Sequence, residues 1–536
     1  MRRWNGWGET HVQASLGPEA LAFLREAVGP GAAPADATLE AVCERIEREQ
    51  PSRLPPHPGV ERGAEHRLRS GLGQSMGDWL RLRFGVPGPL TDGVAYPESA
   101  GATRELLAWA EAVDAVVIPC GGATSVVGHL APPAGGTRPV LTLNMSRQRA
   151  LLDLDPTAQL ARFQAGVLGP DLEAQLRAQG FMLGHFPQSF EYASLGGWIT
   201  TRSSGQQSLR YGRIEQMFAG GTLETPRGTL EIAPFPASAA GPDLREWVLG
   251  SEGRLGVLTE AVVRVSRLPA AERFVGVFLP DWEAALAAVR ELAQARVPLS
   301  MLRLANPVET MTTLRLAGHA GTIGWLERYL RLRGAGDGKC LLFMGLTGSR
   351  AQVASSARQA GRLLRGHGGV GTGTLLGRAW AAKRFAGVYL RNALWDAGYA
   401  VDTMETALPW GGTTAMVEAM EQAGRTALAA EGERCHAYTH LSHVYPTGSS
   451  VYSTFVFRIG PDFDAAWARW RALKTAVCQA IADQGGTISH QHGVGRDHAP
   501  WLAAEKGAVG TAGIDALIEH FDPGQRLASG NLRPPR

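Results

Sequence analysis

The chain has 536 residues, with 53 Lys and Arg against 50 Asp and Glu and a formal net charge of +3. That length is more than one hydrophobic core serves, so two or more domains are expected, and 44% apolar with 19% charged residues excludes a disordered chain. So small a net charge argues against a broad nucleic-acid binder, and no run reaches the roughly 18 apolar residues of a membrane span.

Two helical patterns come first, PEALAFLREAV and ATLEAVCERIERE, within residues 15–50. A Pro-rich connector, 51–66, follows. Strand-like runs then alternate with helices in GVAYP, TRELLAWAEAV, AVVIP, ARFQAG and GPDLEAQLRAQG, an α/β or α+β pattern. TEAVVRVSRLPA reads as the last strand of a first domain, with a boundary near 267–272. FVGVFLP, DWEAALAAVRELAQA and LSMLRLA then read as strand, helix and strand. GKCLLFMGLTG with RAQVASSARQAGRLLRG, and SVYSTFVFRIG with FDAAWARWRALKTAVCQAIADQG, repeat the strand and helix. The glycine-rich RGHGGVGTGTLLG, 365–377, is expected to be a mobile loop.

Cys43, Cys120, Cys340, Cys435 and Cys478 are too scattered for a metal knuckle or a redox pair, which suits a reducing compartment. The opening MRRWNGWGET has arginines but no apolar signal core after them. The expected home is the cytosol, with contact to a membrane surface left open.

Four stretches carry chemistry. PCGGATSVVG, 119–128, follows the apolar run 115–118 and crowds glycines and small hydroxyls into a turn, as a loop does that brings its backbone against a phosphate. It is not a Walker loop, because no Gly-Lys-Ser/Thr follows, and it lacks Gly-x-Gly-x-x-Gly. GHFPQSFEYASLGGWITTRSSG, 184–205, is polar and glycine-rich yet carries Tyr192 and Trp198. GSEGRLGVLTEA, 250–261, is the third. GGTISHQHGVGRDH, 485–498, places His490 and His492 two apart, on one face if the segment is a strand. There they could act on a proton or an oxyanion. No carboxylate or cysteine at a familiar zinc spacing joins them, so no metal is expected. His436, His440 and His443 form a second cluster. Taken singly, these stretches give an α/β enzyme with an anionic ligand.

Their order gives more. With RWNGWG at 3–8 and YPES ahead of the first loop, the chain resembles the flavoenzymes of the vanillyl-alcohol-oxidase type, and within them the alkyldihydroxyacetonephosphate synthases. The resemblance implies an α+β architecture. An N-terminal helical segment, 1–86, would precede a two-subdomain PCMH-type FAD-binding domain, 87–269. An α/β cap (substrate) domain with an antiparallel sheet, 270–460, would follow. A C-terminal FAD-linked-oxidase segment, 461–536, would send its helices back to the FAD domain and complete the active site.

The implied cofactor is FAD. Pro119, Cys120, Gly121, Gly122, Ala123, Thr124 and Ser125 would wrap its pyrophosphate, with Thr124 and Ser125 lending hydroxyl donors. Gln188, Ser189, Glu191 and Ser194, with Thr201, Arg202, Ser203 and Ser204, would flank the flavin. Glu252, Gly253, Gly256, Val257 and Leu258 would lie along the nucleotide. Related oxidases that bind flavin covalently have a histidine near the position of Thr124, so the resemblance implies non-covalent FAD, although His129 lies close by.

Among the remaining residues, Arg303 matches a functionally required arginine, and Arg391 the arginine that binds the substrate phosphate. Tyr452 matches the tyrosine assigned to proton transfer, and His185 an active-site histidine. His490 and His492 flank Gln491 where the family often has three histidines. Ala123, Arg254 and Thr454 also depart from the family pattern, and there is no peroxisomal leader. A phenol ionises near roughly pH 10, so a basic Tyr452 would need positive charge from Arg303 or from the histidines of 490–492.

The implied activity exchanges the acyl group of acyl-dihydroxyacetone phosphate for a fatty alcohol in ether-lipid synthesis, through a flavin N5 adduct and without net redox change. An FAD-linked oxidase or dehydrogenase of a 2-hydroxy acid or related alcohol is the alternative. The expected partner is a lipid-like phosphorylated small molecule, with no nucleic acid. Peripheral membrane contact and a homodimer are left open.

Overall fold

The computed structural model describes residues 1–316, 320–528 and 530–533; the last three residues of the expected C-terminal segment lie outside them. Strands Val60–Glu61, Gly93–Ala95, Val140–Asn144 and Val116–Cys120 form a first sheet in that order, with the last three parallel. Parallel neighbours need a crossover. The helix Ala100–Ala112, capped by Ser99, lies between Gly93–Ala95 and Val116–Cys120 in the chain. The Pro-rich connector thus ends in a short strand, antiparallel to residues 94–95.

A second, antiparallel sheet orders Leu151–Asp155, Leu160–Gln164, Val257–Arg264, Phe218–Thr225 and Gly228–Ile232. Phe163, Leu172, Trp198, Phe218 and Val263 join its core, so the helices Gly169–Arg177 and Leu195–Thr200 are packed into it.

The third sheet is antiparallel throughout. Its order is Val370–Gly371, Ala271–Leu279, Cys340–Gly348, Met301–Ala305, His436–Leu441, Gly448–Arg458 and Tyr399–Pro409. Period-2 alternation decides what each side of a strand meets. Val451, Phe455 and Phe457 enter the largest core, beside residues of the helices Trp282–Gln294, Thr413–Ala430 and Phe463–Asp483. Tyr452 is left on the opposite side. The glycine-rich stretch 365–377 is not a free loop: Val370–Gly371 pairs with Val277 and Phe278, and a helix runs Leu375–Lys383. Its apolar Val370 is buried against Phe278, which outweighs the flexibility of its glycines.

Distant segments close the fold. Trp7 is buried, and its backbone exchanges hydrogen bonds with the Asn392 side chain at 3.2 and 2.9 Å. Residues 526–528 run beside Val117, whose N–H donates to the Arg526 carbonyl at 2.6 Å. No described helix is long and apolar enough to cross a membrane.

The helix Phe463–Asp483 is fixed to the third sheet by the Trp470 indole N–H, which donates to Asp402 Oδ2 at 2.9 Å in a buried setting. Trp470→Phe keeps most of the packing and removes that donor. It should cost roughly 1–3 kcal/mol, read as a lower denaturant midpoint with an unchanged slope.

Candidate active site

Where the strand Val116–Cys120 ends, the chain turns into a loop that leaves no space for side chains. A Cβ on Gly121 would lie 2.0 Å from Ser194 Oγ, and one on Gly122 would lie 1.5 Å from the Tyr192 carbonyl oxygen. The loop 119–125 and the segment 189–194 therefore touch backbone to backbone. Ala123, Arg202 and Glu252 all sit at positive φ, 53°, 52° and 51°. Non-glycine residues in that region carry strain of the kind that clusters at binding sites.

Glu252 is buried and anchors this wall. Its carboxylate accepts from Val494 N at 2.5 Å and Gly495 N at 2.8 Å, and stands 3.0 Å from His129 Nε2. The Ser125 hydroxyl lies 2.6 Å from His129 Nδ1 and accepts from the His129 backbone N–H, so Ser125 is tied to His129. Pro119 and Gly253 touch in the same wall, while Gly256 opens the strand carrying Val257 and Leu258, which pair with Glu224 and Leu223. Ser194 caps its helix by accepting from Gly197 N. Arg254 is buried against the C-terminal segment, donating to the Leu527 carbonyl and Gln525 Oε1.

The segment 184–205 divides by direction. His185 is buried beside Trp198, with Nε2 3.2 Å from Ser203 Oγ, and burial pushes its pKa down to about 3. Ser204 Oγ and His185 Nδ1 are buried without a protein partner. Glu191 accepts from the Tyr389 hydroxyl at 3.0 Å. Thr201 donates to the Gly197 carbonyl, Arg202 pairs outward with Glu246, and exposed Gln188 donates to the Arg384 carbonyl. Thus Thr201, Arg202 and Gln188 are committed to protein partners.

Facing this wall is a row across the third sheet. Glu405 pairs with Tyr452 and Tyr452 with His440, and directly opposite residues share a face. His440 stacks on Tyr452 at 4.9 Å, and His492 meets that ring edge-on at 5.6 Å. Glu309 ties His440 (2.9 Å) to Arg303 (2.5 Å). Burial alone would raise the Glu309 carboxyl, but Arg303 and His440 bring it down to about 2. Arg303 thus joins the cluster through Glu309 and His440.

Residues 486–498 form no strand, so the condition under which His490 and His492 would share a strand face is not met. The segment is wrapped on Glu405, whose Oε1 accepts from Ser489 Oγ (2.9 Å) and from the backbone N–H groups of His490 (3.0 Å), Gln491 (2.9 Å) and His492 (3.1 Å). His490 Nε2 lies 2.6 Å from both Arg213 Nη1 and the Tyr445 hydroxyl. The Tyr452 pKa is not depressed as expected. Burial, together with Glu405 and Asp402, pushes it up to about 12 against the Thr403 hydrogen bond and Arg391. Its hydroxyl donates to Thr403 Oγ1 at 3.0 Å.

Arg391 is half-buried, with part of its guanidinium enclosed. It lies over the Trp79 ring at 4.3 Å and donates from Nη1 to the Gln74 carbonyl at 2.5 Å. Nε and Nη2 are buried with no partner. Burial lowers its pKa to about 10, so it stays charged at neutral pH. Sequence reasoning passed over Glu405, Arg213, Tyr445 and Glu309. Among the described residues no His, Cys, Asp and Glu group could hold a metal ion.

Residues 91–233 match the family model described as FAD binding domain, and residues 268–532 the one described as FAD linked oxidases, C-terminal domain. The fold and site thus define a PCMH-type flavoenzyme with FAD held non-covalently, which fits the side-chain-free cradle at 121–122. The chain is 32% identical over 466 residues, 85% of its length and 76% of the relative's, to alkyldihydroxyacetonephosphate synthase of Dictyostelium discoideum. It is 27% identical to that of Trypanosoma brucei brucei over 99% of this chain and 92% of the relative. A solved structure of alkyldihydroxyacetonephosphate synthase shares 26% identity and 98% of each chain, with a TM-score of 0.79. The chain belongs to the alkyldihydroxyacetonephosphate synthase family.

Two outcomes follow from this geometry. Gly122→Ala should push the loop off the 192 carbonyl, so the purified variant should carry less flavin per chain by absorbance than the parent. The second concerns acid. Burial lowers the pKa of His185, His436, His440, His443, His490, His492 and His498. Below the ordinary histidine pKa of roughly 6.5, the unfolded chain binds protons that these folded-state rings refuse, so stability rises with pH. Asp497, raised by burial to about 6, acts in the opposite sense, as do Asp78, Glu173 and Asp522, also raised by burial, but the seven rings outnumber these four carboxyls. Thermal midpoints should therefore fall steadily between pH 7 and 5, and a flat profile there would contradict the neutral, buried rings.

Proposed function

We propose that this chain catalyses the exchange characteristic of its family's name, replacing the acyl group of acyl-dihydroxyacetone phosphate with a fatty alcohol. One observation carries the reading. Half-buried Arg391 lies on Trp79 with two guanidinium nitrogens, Nε and Nη2, that are themselves buried and have no hydrogen-bond partner among the described residues. A buried cation is costly unless an anion completes it, and a planar fork with free N–H groups suits phosphate oxygens. A phosphorylated substrate anchored there lies within electrostatic reach of Tyr452, since each group shifts the other's ionisation.

Bound FAD supplies the electron-rich ring that the exchange requires. The chain's residues bind, orient and handle protons around it. Arg391 fixes the phosphate. Tyr452, neutral at working pH, holds a proton at its phenolic oxygen and can give it up only as charge develops beside it. His440 stacked on that ring and His492 at its edge are the bases within reach. Arg303 acts on them through Glu309 and keeps His440 oriented. The departing fatty acid leaves as a carboxylate, and the proton of the incoming alcohol passes to this cluster.

Arg391→Lys keeps the charge and loses the fork, so KM for acyl-dihydroxyacetone phosphate should rise while flavin content stays constant, and Arg391→Ala should raise it further. Tyr452→Phe should lower kcat roughly 10²–10⁴-fold at unchanged flavin content. Normal KM in both arginine variants would remove the phosphate assignment, and normal kcat in the Phe variant would remove Tyr452 from the chemistry.

A further inference from the structure

We infer that Glu405 is a positioning residue of this site: from the floor of the cleft it sets where His490 and His492 stand beside Tyr452. The inference rests on the function proposed above only for what the two histidines then do.

The geometry is specific. Glu405 is 1% exposed. Three consecutive backbone N–H groups and the Ser489 hydroxyl converge on Oε1 alone, at 2.9–3.1 Å. Successive N–H groups aimed at one oxygen form an anion nest, and hydrogen bonds to an ionised acceptor are the strong kind. Residues 489–492, which lie in no strand or helix, thereby gain a fixed conformation from one side chain. His492 Nδ1 lies 3.6 Å from the same oxygen, while Oε2 accepts no hydrogen bond and faces His490 Nδ1 at 3.5 Å.

The far side of the His490 ring fixes its tautomer. Arg213 can only donate, so His490 Nε2 must be the bare nitrogen, and Nδ1 carries the proton toward Glu405. The Arg213 guanidinium also donates to the His490 carbonyl at 2.8 Å and to the Arg202 carbonyl at 3.0 Å. His490 is thus held between an arginine of the FAD-binding region and a carboxylate of the third sheet. Tyr445, His443 and Glu215 complete the groups around His490. Lys474, Asp402 and Tyr452 face His492.

A mere loop anchor would affect stability and leave the rings and the rate alone, which gives the test. In wild-type holoprotein labelled with ¹⁵N-histidine and assigned with His490→Asn, His490 should be protonated at Nδ1 and bare at Nε2. Protonation at Nε2 would overturn the inference, and this reading needs no variant and no substrate. Glu405→Gln keeps the shape and one acceptor oxygen but removes the charge. The folded, flavin-loaded variant should lose about 10²-fold in kcat with KM nearly unchanged, and the His490 and His492 titrations should move to lower pH. Glu405→Asp should recover the titrations more than the rate, since the charge returns one methylene short. A folded Gln variant with wild-type kcat and wild-type histidine titrations would overturn it. If wild-type protein turns over no acyl-dihydroxyacetone phosphate, the proposed function fails, and the histidine spectra still decide the role of Glu405.

Discussion

Two buried carboxylates hold the one irregular segment on which this site depends. Residues 486–498 have no ladder or helix to satisfy their backbone amides, and buried amides must find acceptors. Glu405 takes the N–H groups of residues 490, 491 and 492, and Glu252 takes those of 494 and 495. One carboxylate belongs to the seven-stranded sheet and the other to the wall that carries the loop 119–125. The segment is therefore stitched between the two halves of the cleft.

That arrangement explains the concentration of charge around the histidines. Arg303 with Glu309, Arg213 with Glu215, and the His129–Glu252 pair are each partnered at 3.0 Å or less. Isolated buried charges are costly, and removing one partner is worse than never having the pair. Arg391 is the exception, with two buried nitrogens that have no hydrogen-bond partner among the described residues. With Arg303 and Arg213 paired to carboxylates, that guanidinium is where an outside anion gains most.

Much of this was legible in the sequence, for physical reasons. The strands and helices follow apolar periodicity, and the glycine pair 121–122 announces a close backbone approach, which within the protein is made to residues 192–194. At 490–492 the shared face held only on a strand, and the segment is irregular. Gly485, Gly493 and Gly495 all sit at positive φ, and that density of glycine was the available sign of a loop. The 365–377 stretch erred the other way, since Val370 and Leu375 carried packing signals among the glycines. Glu405, Glu309 and Arg213 were invisible for a different reason. Each is a lone charged residue whose meaning comes from partners far along the chain, as with Glu405 and His490, 85 residues apart.

The Trp7–Asn392 bonds join residues 385 apart, and the Arg526 carbonyl completes the edge beside Val117. Closing such contacts means ordering most of the intervening chain first, so they form late. During synthesis the loop 119–125 and its strand emerge long before the segment that borders them, and the early residues around Trp7 wait for Asn392. The nascent protein must therefore pass through a stage in which its sheets exist but its cleft does not. In that interval the apolar surfaces meant for the cleft's closing segments face solvent, and the chain is most open to aggregation or to a chaperone.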